Sequence, residues 1–449
     1  MNAKILFIAF TAAMAGFLFG FDTAVISGTI ELVKSQFSLS DSGIGWFVSC
    51  ALLGAVSGVM FSGYLSDKYG RKFMLIASGI LFLISSLGCT FSNSFTELIA
   101  FRYIGGVAFG IASMVAPLYI SEMSPANQRG KLVSVYQLAI TLGILVAYFS
   151  NYWTSDWYLQ GEHHPFSQMQ FLYNEEYWRG MFANELFPIS LYLICLLFIP
   201  KSPRWLLVKN KEEKAKKIAL VYNIQIGEMT DHNTKKKISF SKLIKGVYKR
   251  PMIIAIFLMI FSQICGINAI IYYGPSIMGK AGFTLSDALG GQVTIGIVNT
   301  LFTFIAIYTI DKWGRKPLLK FGASGVILSL FAISFLFFLG NNYGDYVIVG
   351  IVVYIACYAF SLGPIQFVIA SEIFPTKIRG RVLTISTFFL WGTNAIVGQV
   401  FPAMLNGLGA SGTFLIFGII CLPALWFIGN YIPETKGKSL EEIQRYWEK

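Results

Sequence analysis

Apolar residues in this chain run in long blocks, and the polar residues gather in the short stretches between them. A helix rises ~1.5 Å per residue, so roughly 20 apolar residues cross a hydrocarbon core of about 30 Å. Twelve blocks of that length lie near 5–28, 45–65, 73–92, 98–119, 132–152, 182–199, 252–273, 290–310, 318–339, 346–369, 382–403 and 413–431. They predict twelve transmembrane helices, and an even number returns both termini to one side. Met1-Asn-Ala-Lys4 leads straight into the first block with no small-residue cleavage pattern near its end, so this block reads as an uncleaved first span.

The pattern is doubled. Tyr64-Leu-Ser-Asp-Lys-Tyr-Gly-Arg-Lys72 returns as Asp311-Lys-Trp-Gly-Arg-Lys316, with Asp67 and Asp311 244 residues apart. Ser121-Glu-Met-Ser-Pro-Ala-Asn-Gln-Arg-Gly130 returns as Ser371-Glu-Ile-Phe-Pro-Thr-Lys-Ile-Arg-Gly380, 250 residues on. Two motifs repeated in the same order at nearly the same offset mark an internal repeat. The expected fold is an all-α membrane protein of two six-helix bundles, residues 1–200 and 251–433. A linker with short helices, 201–250, joins them, and a tail, 434–449, follows.

Composition agrees. Of 449 residues 55% are hydrophobic and 13% charged, with a mean hydropathy of +0.62, too few charges for a water-facing surface of this size. The formal charge of +12 sits mainly in short loops. Lys68, Arg71 and Lys72, then Arg129 and Lys131, then Lys312, Arg315 and Lys316, then Lys377, Arg379 and Arg381 fall in alternate loops, which marks the cytoplasmic side. A nucleic-acid partner is not expected, because no basic face interleaved with aromatics appears. The linker carries Lys209-Asn-Lys-Glu-Glu-Lys-Ala-Lys-Lys217 and reads either as short solvated helices or as a charged segment along the headgroups. His163-His164 in an opposite loop have no third ligand at metal spacing, and His232 lies in the linker, so neither metal nor cofactor is expected. The six cysteines lie inside apolar runs, which suits packing better than disulfides. Gly54 and Gly58, or Gly105, Gly106 and Gly110, have the spacing of close helix packing.

Candidate chemistry lies inside the spans, where a charged side chain costs about 2.5–3.5 kcal/mol on insertion scales. Asp22 in the first span and Arg102 toward the outer part of the fourth stand out. Asp22 would be neutral alone in apolar surroundings and ionised with an arginine beside it, which is the logic of a proton-coupling site. The alternative is a fixed pair tethering two helices. Gln137, Gln263, Asn268, Asn299 and Asn394 add amides, which both donate and accept and so suit a polyhydroxylated ligand; for Asn394 an interhelical hydrogen bond is the expected role. Phe19, Tyr272, Tyr273, Phe367 and Trp391 offer flat apolar faces to a sugar ring. No phosphate-cradling Gly-x-x-x-x-Gly-Lys-Ser/Thr loop is present and no histidine lies near a candidate nucleophile, so an enzyme is not expected.

Across essentially its whole length the chain resembles the sugar porters of the major facilitator superfamily. The resemblance rests on the two Asp-x-x-Gly-Arg-Lys loops, Arg102-Tyr-Ile-Gly-Gly106, the two Ser-Glu-x-x-Pro-x-x-x-Arg-Gly loops and Pro200-Lys-Ser-Pro-Arg-Trp205. Gln263-Ile-Cys-Gly-Ile-Asn268 with Tyr272-Tyr273, Gly363-Pro364 and Pro433-Glu-Thr-Lys-Gly437 complete it. It implies two bundles rocking about a central sugar site, with Asp22 as the protonated acid and Arg102 as its partner. It implies that Gln137, Gln263, Asn268 and Asn299 bind sugar hydroxyls, with Phe19, Tyr272, Phe367 and Trp391 lining the site. Asp67, Arg71, Glu122 and Arg129, with Asp311, Arg315, Glu372 and Arg379, match a cytoplasmic gate network. The facilitative members usually carry asparagine where Asp22 stands, so aspartate favours proton symport. The chain departs from the family at Ser262 and Leu390, where glutamines are usual in the family or in its xylose symporter, at Phe367 where tryptophan is common, and at Lys201 where glutamate is usual. The implied protein is a monomeric proton-coupled monosaccharide importer of a bacterial inner membrane with cytoplasmic termini. A uniporter with a structural Asp22 is the alternative, and a sugar sensor is a third reading that the short tail Thr435–Lys449 does not favour.

Overall fold

The computed structural model describes residues 3–125, 128–159, 172, 176–222, 224, 248–374, 376–437, 442–443 and 447, without the side chains of residues 129, 311, 341, 376, 377 and 379. His163, His164 and His232, and the side chains of Arg129, Asp311 and Arg379, lie outside the described residues.

The first half contains α1 (Ala3–Phe37), α2 (Asp41–Tyr69), α3 (Arg71–Phe91), α4 (Phe95–Met123), α5 (Arg129–Leu159), α6 (Tyr177–Ala183) and α7 (Leu186–Phe198). Two short helices follow, α8 (Pro203–Val208) and α9 (Glu212–Tyr222). The second half contains α10 (Lys249–Ile264), α11 (Ile267–Lys280), α12 (Leu285–Trp313), α13 (Arg315–Leu339), α14 (Gly344–Cys357), a π-turn (Tyr358–Leu362), α15 (Gly363–Glu372), α16 (Thr376–Gly407) and α17 (Gly409–Tyr431). Among the described residues, twelve helical segments are long and apolar enough to cross a membrane, at the twelve expected places. Most outrun their apolar blocks: α1 continues past residue 28 to Phe37 through Glu31 and Lys34. Hydropathy marks the thickness of the hydrocarbon, whereas a helix ends where its backbone is capped.

Three spans are not single helices. The sixth breaks between α6 and α7 at Asn184-Glu185, the seventh breaks at Cys265-Gly266, and the tenth carries the π-turn. Gly266 has φ 88° and ψ 13°, the left-handed region open to glycine, and it turns the chain from α10 into α11. Large apolar side chains point outward along the twelve candidate spans, up to Phe187 and Phe338 at 78% exposure, as lipid-facing surfaces require. The glycines pack: Gly54 and Gly58 of α2 rest on Tyr103 and Val107 of α4, while Gly106 and Gly110 of α4 rest on Ala51 and Ala55 of α2, closely enough that a β-carbon would strike a main-chain oxygen.

By compactness the chain divides into two units. One takes Met1–Thr23, Cys50–Ala147 and Arg179–Lys237; the other takes Ala24–Ser49, Tyr148–Trp178 and Ile238–Lys449. The second therefore gathers, with the second half of the chain, those ends of α1, α2 and α5 that lie away from the basic loops. Hydrogen bonds inside this unit show why: Ser49 donates to Gln399 at 2.7 Å, Gln399 to the Ser42 carbonyl at 3.1 Å, Asn406 to Asp41 at 2.7 Å, Ser276 to Glu31 at 2.6 Å, and the Tyr148 hydroxyl to the Ile271 carbonyl at 3.0 Å.

The sequence repeat is also a repeat of conformation. Gly70 (φ 96°, ψ 157°) and Gly314 (φ 92°, ψ 163°) turn α2 into α3 and α12 into α13 alike, in a region that only glycine occupies readily. A β-carbon at Gly70 would stand 3.0 Å from the Trp205 indole, and one at Gly314 would stand 2.8 Å from a Glu434 carboxylate oxygen. Gly70→Ala and Gly314→Ala are each expected to cost about 1–3 kcal/mol. Thermal unfolding in detergent measures the loss, and an unchanged midpoint for both would mean that neither turn is needed as folded.

Candidate functional site

In the first unit the two ionisable groups expected to meet do meet. Arg102 Nη1 donates to Asp22 Oδ1 at 2.9 Å and to the Asp22 main-chain oxygen at 3.3 Å, and both side chains are almost wholly buried. Gly105, one turn along α4, leaves the room: a β-carbon there would come 2.5 Å from Ser85 Oγ and 3.4 Å from Asp22 Oδ1. The Phe182 ring lies under the guanidinium at 5.8 Å. Among the described residues Asp22 Oδ2 has no hydrogen-bond partner.

Sequence reading missed a third member. Glu185, 1% exposed, stands at the α6/α7 break and interacts electrostatically with both Asp22 and Arg102, and its Oε1 has no hydrogen-bond partner among the described residues. It falls inside the predicted sixth span, so the signal that singled out Asp22 applied to it equally. Arg102 is bonded to Asp22 alone of these two buried carboxyl groups, and a second negative charge nearby is held only at a cost, so a proton bound to Asp22 changes how strongly Arg102 is held.

In the second unit the break at Gly266 places Gln263 in the last turn of α10 and Asn268 in the first turn of α11. Asn268 donates to Gln263 Oε1 at 2.5 Å, and Gln263 donates to Ser262 Oγ at 3.0 Å. Ser262 donates on to the Met259 carbonyl at 2.9 Å. Asn394 of α16 donates to the Tyr272 hydroxyl of α11 at 3.0 Å, the interhelical role expected of it. Asn299 and Trp391 are buried on α12 and α16, and Phe367 on α15 is 38% exposed. Gln137 and Phe19 belong to the first unit; Gln137 is half-buried on α5, and Phe19 stacks on Phe109 with ring centroids 5.3 Å apart.

The basic loops are built twice. In the first, Arg71 pairs with Asp67 at 3.1 Å and Glu122 at 3.0 Å, and Ser202 donates to Glu122 Oε2 at 2.5 Å. In the second, Arg315 pairs with Glu372 at 2.9 Å, and Thr435 donates to Glu372 Oε2 at 2.6 Å. The Pro-Lys-Ser and Pro-Glu-Thr segments therefore do the same work in the two halves. They differ at one position. Glu434 accepts from the backbone N–H groups of Arg315 (3.1 Å), Lys316 (3.0 Å) and Lys436 (2.8 Å), closing the N-terminus of α13. Burial alone would push its carboxyl up, but these donors and the Thr435 N–H outweigh it and hold its pKa below the ordinary value. Lys201 stands at the matching place, within electrostatic reach of Lys72, and an ammonium group has no acceptor with which to cap α3 as Glu434 caps α13. The linker is less solvated than expected, since Trp205 of α8 packs on Gly70 and donates to the Asp67 carbonyl at 3.1 Å.

The family model described as "Sugar (and other) transporter" matches residues 8–447. Among curated proteins the chain is 37% identical over 452 residues to the arabinose-proton symporter of Bacillus subtilis, covering 99% of this chain and 95% of that one. It is 35% identical over 493 residues to the D-xylose-proton symporter of Escherichia coli, covering 100% and 96%. Among solved structures it is similar to a partially occluded inward open conformation of the xylose transporter XylE from E. coli, with a TM-score of 0.83, 33% identity, and coverage of 98% of this chain and 100% of that one.

Glu434 makes stability depend on pH. Because folding depresses its pKa, its contribution is complete above the ordinary glutamate value of about 4.3 and is lost as the pH falls through the lower folded-state value. Glu434→Gln is expected to lower the unfolding midpoint at pH 7 and to converge with the parent as both are acidified; a gap independent of pH would assign the residue a role of shape, not charge. Lys201→Glu is expected to raise the midpoint by supplying the absent cap, a change of about 0.5–2 kcal/mol, measured in the same scans, and a lower midpoint would show that the two halves are not equivalent there.

Proposed function

The chain belongs to the sugar transporter family of the major facilitator superfamily, and from that membership we propose that it imports a monosaccharide, a pentose or a hexose, together with a proton by alternating access. The observation that carries the coupling is the buried pair of Asp22 and Arg102, 2.9 Å apart, with the second Asp22 oxygen unpartnered among the described residues. A proton taken up by that carboxyl cancels its charge and frees the guanidinium; loss of the proton restores the pair. The acid is thus one that titrates and a lock that opens when it does. The full-length similarity to an arabinose-proton and a D-xylose-proton symporter supports the same coupling and the same class of cargo.

Sugar hydroxyls are held by Gln263, Asn268, Asn299 and Gln137, with Phe19, Tyr272, Phe367 and Trp391 as the apolar lining. Support comes from the amide chain of Asn268, Gln263 and Ser262, which fixes the direction of each donor before a ligand arrives. The moving bodies are the two halves, 1–200 and 251–433, joined by 201–250, with 434–449 as tail. Asp67, Arg71, Glu122 and Arg129, and their counterparts Asp311, Arg315, Glu372 and Arg379, form the cytoplasmic gate. The protein is a monomer in a bacterial inner membrane with both termini in the cytoplasm, as the placement of Lys and Arg in alternate loops supports.

The test is uptake of labelled xylose, arabinose, glucose, galactose and fructose by proteoliposomes, with and without an inward proton gradient, beside Asp22→Asn. Accumulation above equilibrium that needs the gradient, and that Asp22→Asn abolishes while counterflow exchange persists, is the expected result. Equilibration indifferent to both would make the protein a uniporter with a structural Asp22. No flux of any of the five would turn attention to other substrates or to sensing.

A further inference from the structure

Resting on the transport reading and its sidedness, we propose that Tyr148 is a positioning residue of the transport cycle, whose hydroxyl holds α11 closed on the side away from the basic loops and must let go for that side to open. Nothing in the sequence reading singled it out. Pro275 interrupts the hydrogen bonding of α11, because a proline has no N–H and its ring pushes the carbonyl four residues back off the helix axis. That carbonyl belongs to Ile271, and it accepts the Tyr148 hydroxyl of α5 at 3.0 Å. Both residues are buried.

The same device occurs again on the neighbouring helix. Pro402 of α16 frees the carbonyl of Gly398, which accepts the Tyr273 hydroxyl of α11 at 2.7 Å. Proline-freed carbonyls and tyrosine hydroxyls thus tie α5 to α11, and α11 to α16, in series. These ties differ from others on this side. The bonds from Gln399 to Ser42 and from Asn406 to Asp41 are exposed, so water replaces them at little cost when they part. The Tyr148 bond is buried, and its acceptor has no donor on its own helix to fall back on. Removing the hydroxyl while the helices stay packed leaves a buried carbonyl bare, which favours any arrangement that wets it. Space for water lies beside the same turn: a cavity of about 350 Å³ is lined by Ile30 and Glu31 of α1, Pro275 and Ser276 of α11, and Pro402 of α16.

The test reads the opening of that side directly, without flux. Ile30 lines the cavity and is 2% exposed, so Ile30→Cys is expected to react slowly with a membrane-impermeant maleimide added outside right-side-out vesicles. The chain without this cysteine gives the background. Tyr148→Phe is expected to speed labelling on the order of tenfold. It is also expected to lower the external KM together with the maximal rate of uptake, whereas a merely structural loss lowers the maximal rate alone. Tyr148→Met serves if the phenylalanine variant does not fold. Pro275→Ala returns an N–H to the Ile271 carbonyl, so in that background the effect of Tyr148→Phe is expected to vanish. Labelling of Tyr148→Phe at the parent rate, or an increase that Pro275→Ala does not remove, overturns the role of Tyr148 while the transport reading stands. A parent that moves no sugar overturns the transport reading, and this inference with it.

Discussion

Hydrocarbon offers no hydrogen bonds, and every feature of this chain can be traced to that. Backbone groups in the bilayer must be satisfied within their own segment, so the chain is helical at each crossing and irregular only at a few internal points. Side chains obey the same demand. The spans carry few ionisable groups, and those that matter here are brought to one place: Arg102 against Asp22, with Glu185 near both. An isolated charge in that setting is expensive, a pair is tolerable, and a pair with a spare acid is sensitive to a single proton. The coupling proposed for the protein is therefore a consequence of the solvent it sits in as much as of the residues themselves.

The internal irregularities are where buried polar side chains gather. The break at Gly266 turns the chain so that Gln263 and Asn268, on either side of it, become direct hydrogen-bond partners. The π-turn at Tyr358–Leu362 buries the side chains it carries, and the break between α6 and α7 holds Glu185. A regular helix spaces its side chains by a fixed rotation; an interrupted one can aim two neighbours at the same point. That liberty is tolerated in a membrane where protein, not lipid, surrounds the interruption.

Duplication explains the basic loops and the limits of their symmetry. The same glycine conformation, the same arginine–glutamate pair and the same hydroxyl bond from the segment after the last span occur in both halves. Glu434 and Lys201 then part company: one helix start is capped by a carboxylate, and its counterpart lies under Trp205 with a lysine beside it. Equivalent folds need not be equally strong.

Twelve spans, the doubled motifs, the likeness to sugar porters and the prominence of Asp22 and Arg102 were all legible in the sequence. Each depends on composition over a window or on a short run of residues, and neither requires knowing what lies across the fold. The contact of Asp22 with Arg102, separated by 80 residues, was an inference there and is a distance here. Glu185 was passed over although it lies inside the predicted sixth span, and its burial at the α6/α7 break is seen only in the structure. Hydropathy is a property of the chain, whereas the satisfaction of a polar atom belongs to its neighbours. The sequence by itself determined the solvent, the number of crossings and the inventory of polar groups; the tertiary structure decided which of those groups meet and which are left without a partner.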